Sequence, residues 1–363
     1  MAFSFGFSGE DIDTSLDDGQ APQLPPPPST AGAFPVQGKP QLPPTHHPLD
    51  DALRRLPSRV SWSYLETTLD DGTAVRLPRR DLWDVRVQLM AEDDGAGGGE
   101  SGGGGEGLDG LGSHDVKTGV YEGGFKSWES SIDLIKVLAT NSEGCFSEGV
   151  EPVNVVELGC GTALPSLAIL QTALSNNSAS RRKLHLTLAD YNPSVLLLVT
   201  LPNVLVTWAL AQTSTPLIAE ALAAEGELEI SPELLSAFCS HLAESNISLS
   251  LLSGGWSPDF VDLIYEHTPS SASLTLMLGS ETIYSPFALQ SFTETIFSIY
   301  NRDHQRGAKS VAYVAAKKLY FGVGGSLDDF ITGAQERGAI VKTMREELEG
   351  VRRGVVRCSL TDD

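Results

Sequence analysis

The chain has little cysteine: four in 363 residues, Cys145, Cys160, Cys239 and Cys358, with no CxxC pair and no His/Cys cluster. That argues against a disulfide scaffold and a structural zinc, and predicts a reducing compartment and no metal site. Basic residues are also scarce, 25 Lys and Arg against 47 Asp and Glu, for a formal net charge of −22. A surface of that sign repels a phosphate backbone, so direct nucleic-acid binding is not expected, whereas encounter with a basic protein partner is favoured. A long uninterrupted hydrophobic run is missing as well. The most apolar stretch, 195–211, contains Pro202 and Asn203 and is expected to be too short to span a bilayer. The opening Met1-Ala-Phe-Ser-Phe-Gly-Phe leads into acids rather than from a basic region into an apolar one, so it does not read as a signal peptide. These features predict a soluble intracellular monomer with no membrane partner. The cytoplasm is the expected location and the nucleus stays open, since Arg181-Arg182-Lys183 reads as a short solvated loop rather than an import signal.

What is present is unevenly distributed. Residues 1–48 are rich in proline, including Pro25 to Pro28, and poor in apolar side chains; such a segment cannot offset its ordering entropy and is predicted to be a disordered tail. Residues 95–112 are dominated by glycine, which predicts a flexible linker. Between them, 49–94 reads as a small accessory element: a helix over 49–56, then a hairpin over 60–65 and 75–77 turning at Asp70-Asp71-Gly72. From residue 113 to 363 the pattern changes to short apolar strands alternating with helices. Strands are predicted over 153–158, 184–189, 248–253, 274–278, 310–316 and 351–358, and helices over 163–174 and 194–210. Such alternation implies an α/β fold with a mostly parallel sheet covered on both faces, and the Ala-, Glu- and Ser-rich stretch 212–247 reads as a helical insertion.

Two motifs carry chemistry. In Val155-Val156-Glu157-Leu158-Gly159-Cys160-Gly161-Thr162-Ala163 a strand feeds a glycine turn and then a helix, which brings backbone N–H groups against a ligand without an intervening Cβ. Ala163 and Pro165 follow where a dinucleotide enzyme would carry its third glycine, so a nucleoside without phosphates fits better. One βα unit later the second strand ends in Asp190-Tyr191-Asn192-Pro193. An acid there is placed to accept from both ribose hydroxyls, while Asn192 before Pro193 is also a good helix cap. Together they predict a doubly wound, nucleoside-binding fold.

The run Thr118 to Glu129, with Tyr121, Ser127, Trp128 and Glu129, resembles the segment preceding the first strand of the histidine protein methyltransferase family. The resemblance continues through the glycine turn, Asp190-Tyr191-Asn192, Leu201-Pro202-Asn203-Val204, Gly254-Gly255-Trp256, Ser280-Glu281-Thr282-Ile283-Tyr284 and Lys318 to Gly325, and covers roughly 113–360 apart from the insertion. It implies a Rossmann-like, class I methyltransferase with a doubly wound, mostly parallel seven-stranded sheet, S-adenosyl-L-methionine as cofactor, and a histidine of ribosomal protein uL3 as acceptor. It also implies cofactor contacts at Ser127, Trp128, Glu129, Gly159, Gly161, Asp190, Tyr191, Asn192, Gly255, Trp256 and Ser280. The family commonly has a third glycine where this chain has Ala163, and an acid where it has Gly255.

Methyl transfer from a sulfonium brings its own leaving group, so the protein has chiefly to align the imidazole and exclude water. Neutral imidazole needs no strong base, only an acceptor that holds its far N–H and fixes the tautomer. Glu281, Tyr284 and Tyr121 are the candidates, with packing the plainer role for Tyr284. A lysine-directed protein methyltransferase of the same fold and a catalytically silent ribosome-assembly protein are the competing readings.

Overall fold

The computed structural model describes residues 41–95, 124–140, 152–175, 183–269, 272–320 and 324–361. In chain order these form β1 (Thr45–His47), α1 (Leu49–Arg54), β2 (Arg59–Thr68), β3 (Ala74–Arg80), α2 (Leu82–Gly95), α3 (Glu129–Thr140), β4 (Val153–Leu158), α4 (Leu164–Ser175) and β5 (Leu184–Asp190). A single helical run, α5 (Pro193–Ala211), follows. Then come α6 (Pro216–Ala221), β6 (Glu227–Glu229), α7 (Pro232–Glu244), β7 (Ile247–Ser253), α8 (Pro258–His267) and β8 (Leu274–Ser280). The chain ends with α9 (Pro286–Arg306), β9 (Lys309–Lys317), α10 (Leu327–Glu336), β10 (Ile340–Glu347) and β11 (Arg353–Ser359).

Strands β4 and β5 are buried from end to end, which is why they read as continuous apolar runs rather than alternating ones. Around them an eight-stranded sheet takes the order β1-β7-β5-β4-β8-β9-β11-β10. The five strands from β7 to β9 are mutually parallel, whereas β1, β11 and β10 each pair antiparallel with a neighbour. The side chains of these strands alternate between two cores. Val155, Leu186 and Leu276 pack with α3, α4 and α5 on one face, and Val156, Ala189 and Met277 with α8, α9 and α10 on the other. The helices start where the sequence supplies a cap followed by proline: Asn192-Pro193, Ser231-Pro232, Ser257-Pro258 and Ser285-Pro286 each place a side-chain oxygen on a backbone N–H of the first turn.

Three expectations change, and one strand had no counterpart among them. The sheet has eight strands rather than seven, because Thr45–His47, counted from composition within the disordered tail, pairs with β7 from Thr45↔Ser253 to His47↔Leu251. The stretch 212–247 is not wholly helical: β6 lies within it and adds to the hairpin, Arg59↔Glu229 through Ser61↔Glu227, making a second sheet of order β3-β2-β6. Edge strand β10 gives no apolar signal because its residues are half-buried or exposed and include Lys342, Arg345 and two glutamates, an ordinary defence of a sheet edge. Finally, α5 is long and apolar enough by composition to cross a membrane, but 78% of its apolar window is buried within the protein, as expected of a core helix. Residues 1–40 and 96–123, which include most of the expected tail and linker and Tyr121, lie outside the described residues.

Helix α5 joins the accessory hairpin to the glycine turn. It contains a π turn at Leu196–Thr200, and Pro202 has no N–H to offer the Leu198 carbonyl. The buried Arg80 of β3 donates to that carbonyl instead, Nη1 at 2.8 Å, and its Nε pairs with Asp84 at 2.7 Å. Asn203 accepts from the Arg80 backbone N–H at 2.6 Å and donates to the Thr162 carbonyl at 3.0 Å, while Thr200 donates to the Gly161 carbonyl at 2.6 Å. The Leu201-Pro202-Asn203 motif thus fixes the glycine turn from behind.

One buried histidine makes stability pH-dependent. His185 of β5 is 5% exposed, its ring between Ser248 Oγ (2.7 Å from Nδ1) and Ser250 Oγ (3.2 Å from Nε2). Burial, with His267 nearby, lowers its pKa from 6.5 to about 4. The unfolded chain therefore takes up this proton first on acidification. Its contribution is complete above pH 6.5 and is lost as pH falls toward 4, by about 3 kcal/mol at 1.36 kcal/mol per unit. Denaturant unfolding from pH 7.5 to 4 should show that loss, and a His185→Asn variant should lack this part of it; parallel profiles would remove His185 as the source.

Candidate active site

The order of the parallel strands reverses between β4 and β8, and ligands of open α/β sheets bind at the carboxyl ends of strands at such a point. A cleft of about 700 Å³, counting its open mouth, lies there. Its wall is assembled from the ends of four strands. The turn after β4 supplies Gly159 and Gly161, and β5 ends in Asp190 and Tyr191. Trp256 follows β7, and Ser280, Glu281 and Tyr284 follow β8; Trp128 enters from the segment before α3.

The glycine turn is shaped by close approach. Gly159 has φ 67°, and a Cβ there would sit 2.6 Å from Thr282 Cγ2 and 3.8 Å from Trp256 Cζ2, so only glycine lets strand ends β4, β7 and β8 converge. Ala163 also takes a left-handed conformation, at φ 57°, a strained geometry held by complete burial and by donation from its N–H to the Cys160 carbonyl at 2.7 Å. Asp190 closes the turn on the other side. Its Oδ2 accepts from the Gly161 N–H at 3.0 Å and its Oδ1 from the Asn192 N–H at 3.1 Å.

The rim after β8 is polar and strained. Glu281 has φ 57°, uncommon for a side chain of its kind. Its carboxylate accepts from the Ser130 hydroxyl on α3 and, at 2.5 Å, from the Tyr320 hydroxyl; Lys317 Nζ lies 3.8 Å away. Burial, reinforced by the Glu281 charge, pushes the Tyr320 phenol upward, so it stays a donor. The Lys317 ammonium also stands 5.0 Å from the Trp128 ring centre. Two further hydroxyls, Ser280 Oγ and Thr282 Oγ1, are buried at the cleft without a hydrogen-bond partner among the described residues. Orphaned groups of this kind cost free energy unless a ligand satisfies them.

Four of the predicted contact residues are not on the cleft wall. Ser127 donates to Thr162 Oγ1 at 3.3 Å, and Asn192 caps α5 by accepting from the Ser194 N–H at 2.9 Å. The Glu129 side chain is 67% exposed and pairs with Arg353 of β11 at 3.2 Å. Gly255 N–H donates to the Leu42 carbonyl at 2.9 Å and so meets the N-terminal segment. Conversely, sequence reasoning passed over Glu157 within a motif it had singled out. This carboxyl, the one charged side chain in β4, lines the cleft, and burial pushes its pKa up to about 8, with Oε2 accepting from the Ser166 N–H at 3.0 Å. An acid inside a fully buried strand was the available signal. Thr282, Lys126 and Gly124 line the cleft as well.

The sheet order, the glycine turn and the acid one strand further on are together those of the class I, S-adenosylmethionine-dependent methyltransferases. The residues suit that cofactor: the Gly159 turn leaves room that a Cβ would fill, and the Ser280 and Thr282 hydroxyls lack partners. No family model matches the chain. Histidine protein methyltransferase 1 of Saccharomyces cerevisiae is 42% identical over 266 residues, 70% of this chain and 67% of that protein. The protein of the same name from Schizosaccharomyces pombe is 32% identical over 317 residues, 85% of this chain and 83% of that one. A homolog from Bos taurus is 29% identical over 245 residues, 67% of this chain and 56% of its own. The chain belongs to the histidine protein methyltransferase family.

Proposed function

We propose that this protein transfers the methyl group of S-adenosylmethionine to an imidazole nitrogen of one histidine in ribosomal protein uL3. The observation that carries the acceptor chemistry is Glu281, a carboxylate inside the cleft whose orientation is set by Ser130 and Tyr320 and whose charge is balanced by Lys317. The uL3 substrate follows from the family resemblance, and the acidic chain complements a basic ribosomal protein.

Bound in this cleft, the cofactor supplies an electrophilic methyl group on a sulfonium. Asp190 would hold the ribose hydroxyls, Trp256 would flank the adenine face, and the Ser280 hydroxyl would bond the cofactor's polar groups. Glu281 acts on the substrate. Each carboxylate oxygen has a lone pair beyond the one used by its anchor, so it can accept the far N–H of a neutral imidazole and point the opposite lone pair at the methyl carbon. After transfer, the imidazolium N–H stays hydrogen-bonded to Glu281 until its proton leaves to solvent. Trp128 lines the neighbouring wall, with the Lys317 ammonium 5.0 Å from its ring centre.

The test is methyl transfer to purified uL3 in the presence of S-adenosylmethionine, with the modified residue located by tandem mass spectrometry. A methyl group on one histidine is expected. A methyl group on lysine, or none at all from a preparation that binds the cofactor, would overturn the reading.

A further inference from the structure

The space beside Gly255 is filled from elsewhere in the chain. A Cβ on this glycine would lie 2.1 Å from Gln41 Nε2, 2.2 Å from its Cδ and 2.5 Å from its Cγ. The Gln41 side chain therefore rests directly on the Gly255 backbone, one residue before the cleft-wall Trp256 in sequence.

Several independent contacts hold this segment in place. The Gly255 N–H donates to the Leu42 carbonyl at 2.9 Å, and the Leu42 N–H donates to the Tyr191 hydroxyl oxygen at 3.2 Å. Further along, β1 pairs with β7, His47 Nε2 lies 2.7 Å from Ser253 Oγ, and the His46 ring stacks on His267 at 3.5 Å. A Cβ at Gly254 would lie 2.3 Å from the Pro43 carbonyl oxygen, so two successive glycines let the strap cross this strand end. Gln41 itself is half-buried, and its carboxamide makes no hydrogen bond to another described residue. An amide donor and an amide acceptor are thus positioned by the fold and left uncommitted.

Their location relative to the cofactor follows from strand order. Asp190 ends β5, and the next strand outward is β7, whose end carries Gly255 and Trp256. A nucleoside whose ribose sits at Asp190 extends its base toward β7. Resting on the cofactor reading above, we infer that the Gln41 carboxamide reads the adenine edge: its oxygen accepts from the exocyclic amino group and its N–H donates to a ring nitrogen. Carboxamides recognise adenine in this paired way because donor and acceptor spacings match. The strap that carries Gln41 is then part of the cofactor site, and Gly255 is required because a side chain there would displace it.

The test is calorimetric binding of S-adenosylhomocysteine, and of its analogue with hydrogen in place of the adenine amino group, to the full-length protein and to Gln41→Ala, Gly255→Ala and the double variant. The wild type should bind the parent ligand roughly 3- to 10-fold more tightly than the analogue, the range for one lost hydrogen bond. Gln41→Ala should lose that discrimination together with a similar factor in parent affinity. Gly255→Ala should do the same, with no further loss in the double variant, since both changes remove one interaction. Thermal melts on the same preparations confirm that each is folded. Wild type that binds and discriminates, with a Gln41→Ala variant that discriminates equally, overturns this inference and leaves the cofactor reading intact. Wild type that binds neither ligand overturns both.

Discussion

Replacing Asp190 with alanine is expected to weaken S-adenosylmethionine binding by about 30- to 700-fold, or about 2–4 kcal/mol, the cost of two hydrogen bonds to a charged acceptor. The geometry adds a second effect. Because Asp190 also accepts from the Gly161 and Asn192 N–H groups, the variant leaves two backbone donors of the glycine turn without their partner, and its melting temperature should fall. Affinity should therefore be measured by calorimetry well below the variant's own melting temperature. Unchanged affinity in a folded variant would mean that the nucleoside does not lie at the end of β5.

Glu281→Gln should reduce turnover by about 10- to 1000-fold, equivalent to about 1.4–4 kcal/mol in the barrier, with little change in cofactor affinity. The carboxamide keeps the shape but replaces one acceptor oxygen with a donor, which then faces the hydroxyl of either Ser130 or Tyr320. Tyr320→Phe provides the companion measurement. It removes one anchor and leaves the carboxylate, so its turnover should fall less than that of Glu281→Gln while cofactor affinity holds. If Glu281 served only to tie α3 to the rim after β8, both variants would lose thermal stability and cofactor affinity in step with activity. Full turnover in Glu281→Gln would remove it from the mechanism. The backbone strain at this residue, φ 57° on a side chain with no intrinsic preference for it, is the kind of cost that persists where position matters.

Much of the central architecture was legible because burial leaves a mark on composition. Strands β4 and β5 are covered on both faces and so read as unbroken apolar runs, and the cap Asn192 announces a helix through local hydrogen bonding alone. The cleft residues nearest those strand ends were legible for the same reason: Gly159, Gly161 and Asp190 occupy places that the strand–turn–helix unit itself defines. Glu157 has no place in the glycine pattern of its motif; its only signal is a carboxyl inside a buried strand.

Other features have no local signature. Thr45–His47 lies beside prolines and exposed polar residues, and its strand conformation comes from the unpaired edge of β7, 204 to 208 positions away along the chain (Thr45↔Ser253 to His47↔Leu251). Glu227–Glu229 becomes a strand because β2 offers it an edge. Glu129 pairs with Arg353 on β11, 224 positions along the chain, a contact that no local pattern announces.

The sequence by itself determined the α/β class, the buried parallel centre, the glycine turn and the acid one strand beyond it, because each depends on side-chain size, burial or capping within a few residues. The tertiary structure alone decided that Glu281 is clamped between Ser130 and Tyr320, that Arg80 answers the carbonyl freed by Pro202, and that Gln41 fills the place beside Gly255. These contacts join residues 39, 118, 151 and 214 positions apart (the last from Gln41 to Gly255), and only the closed sheet fixes their distances.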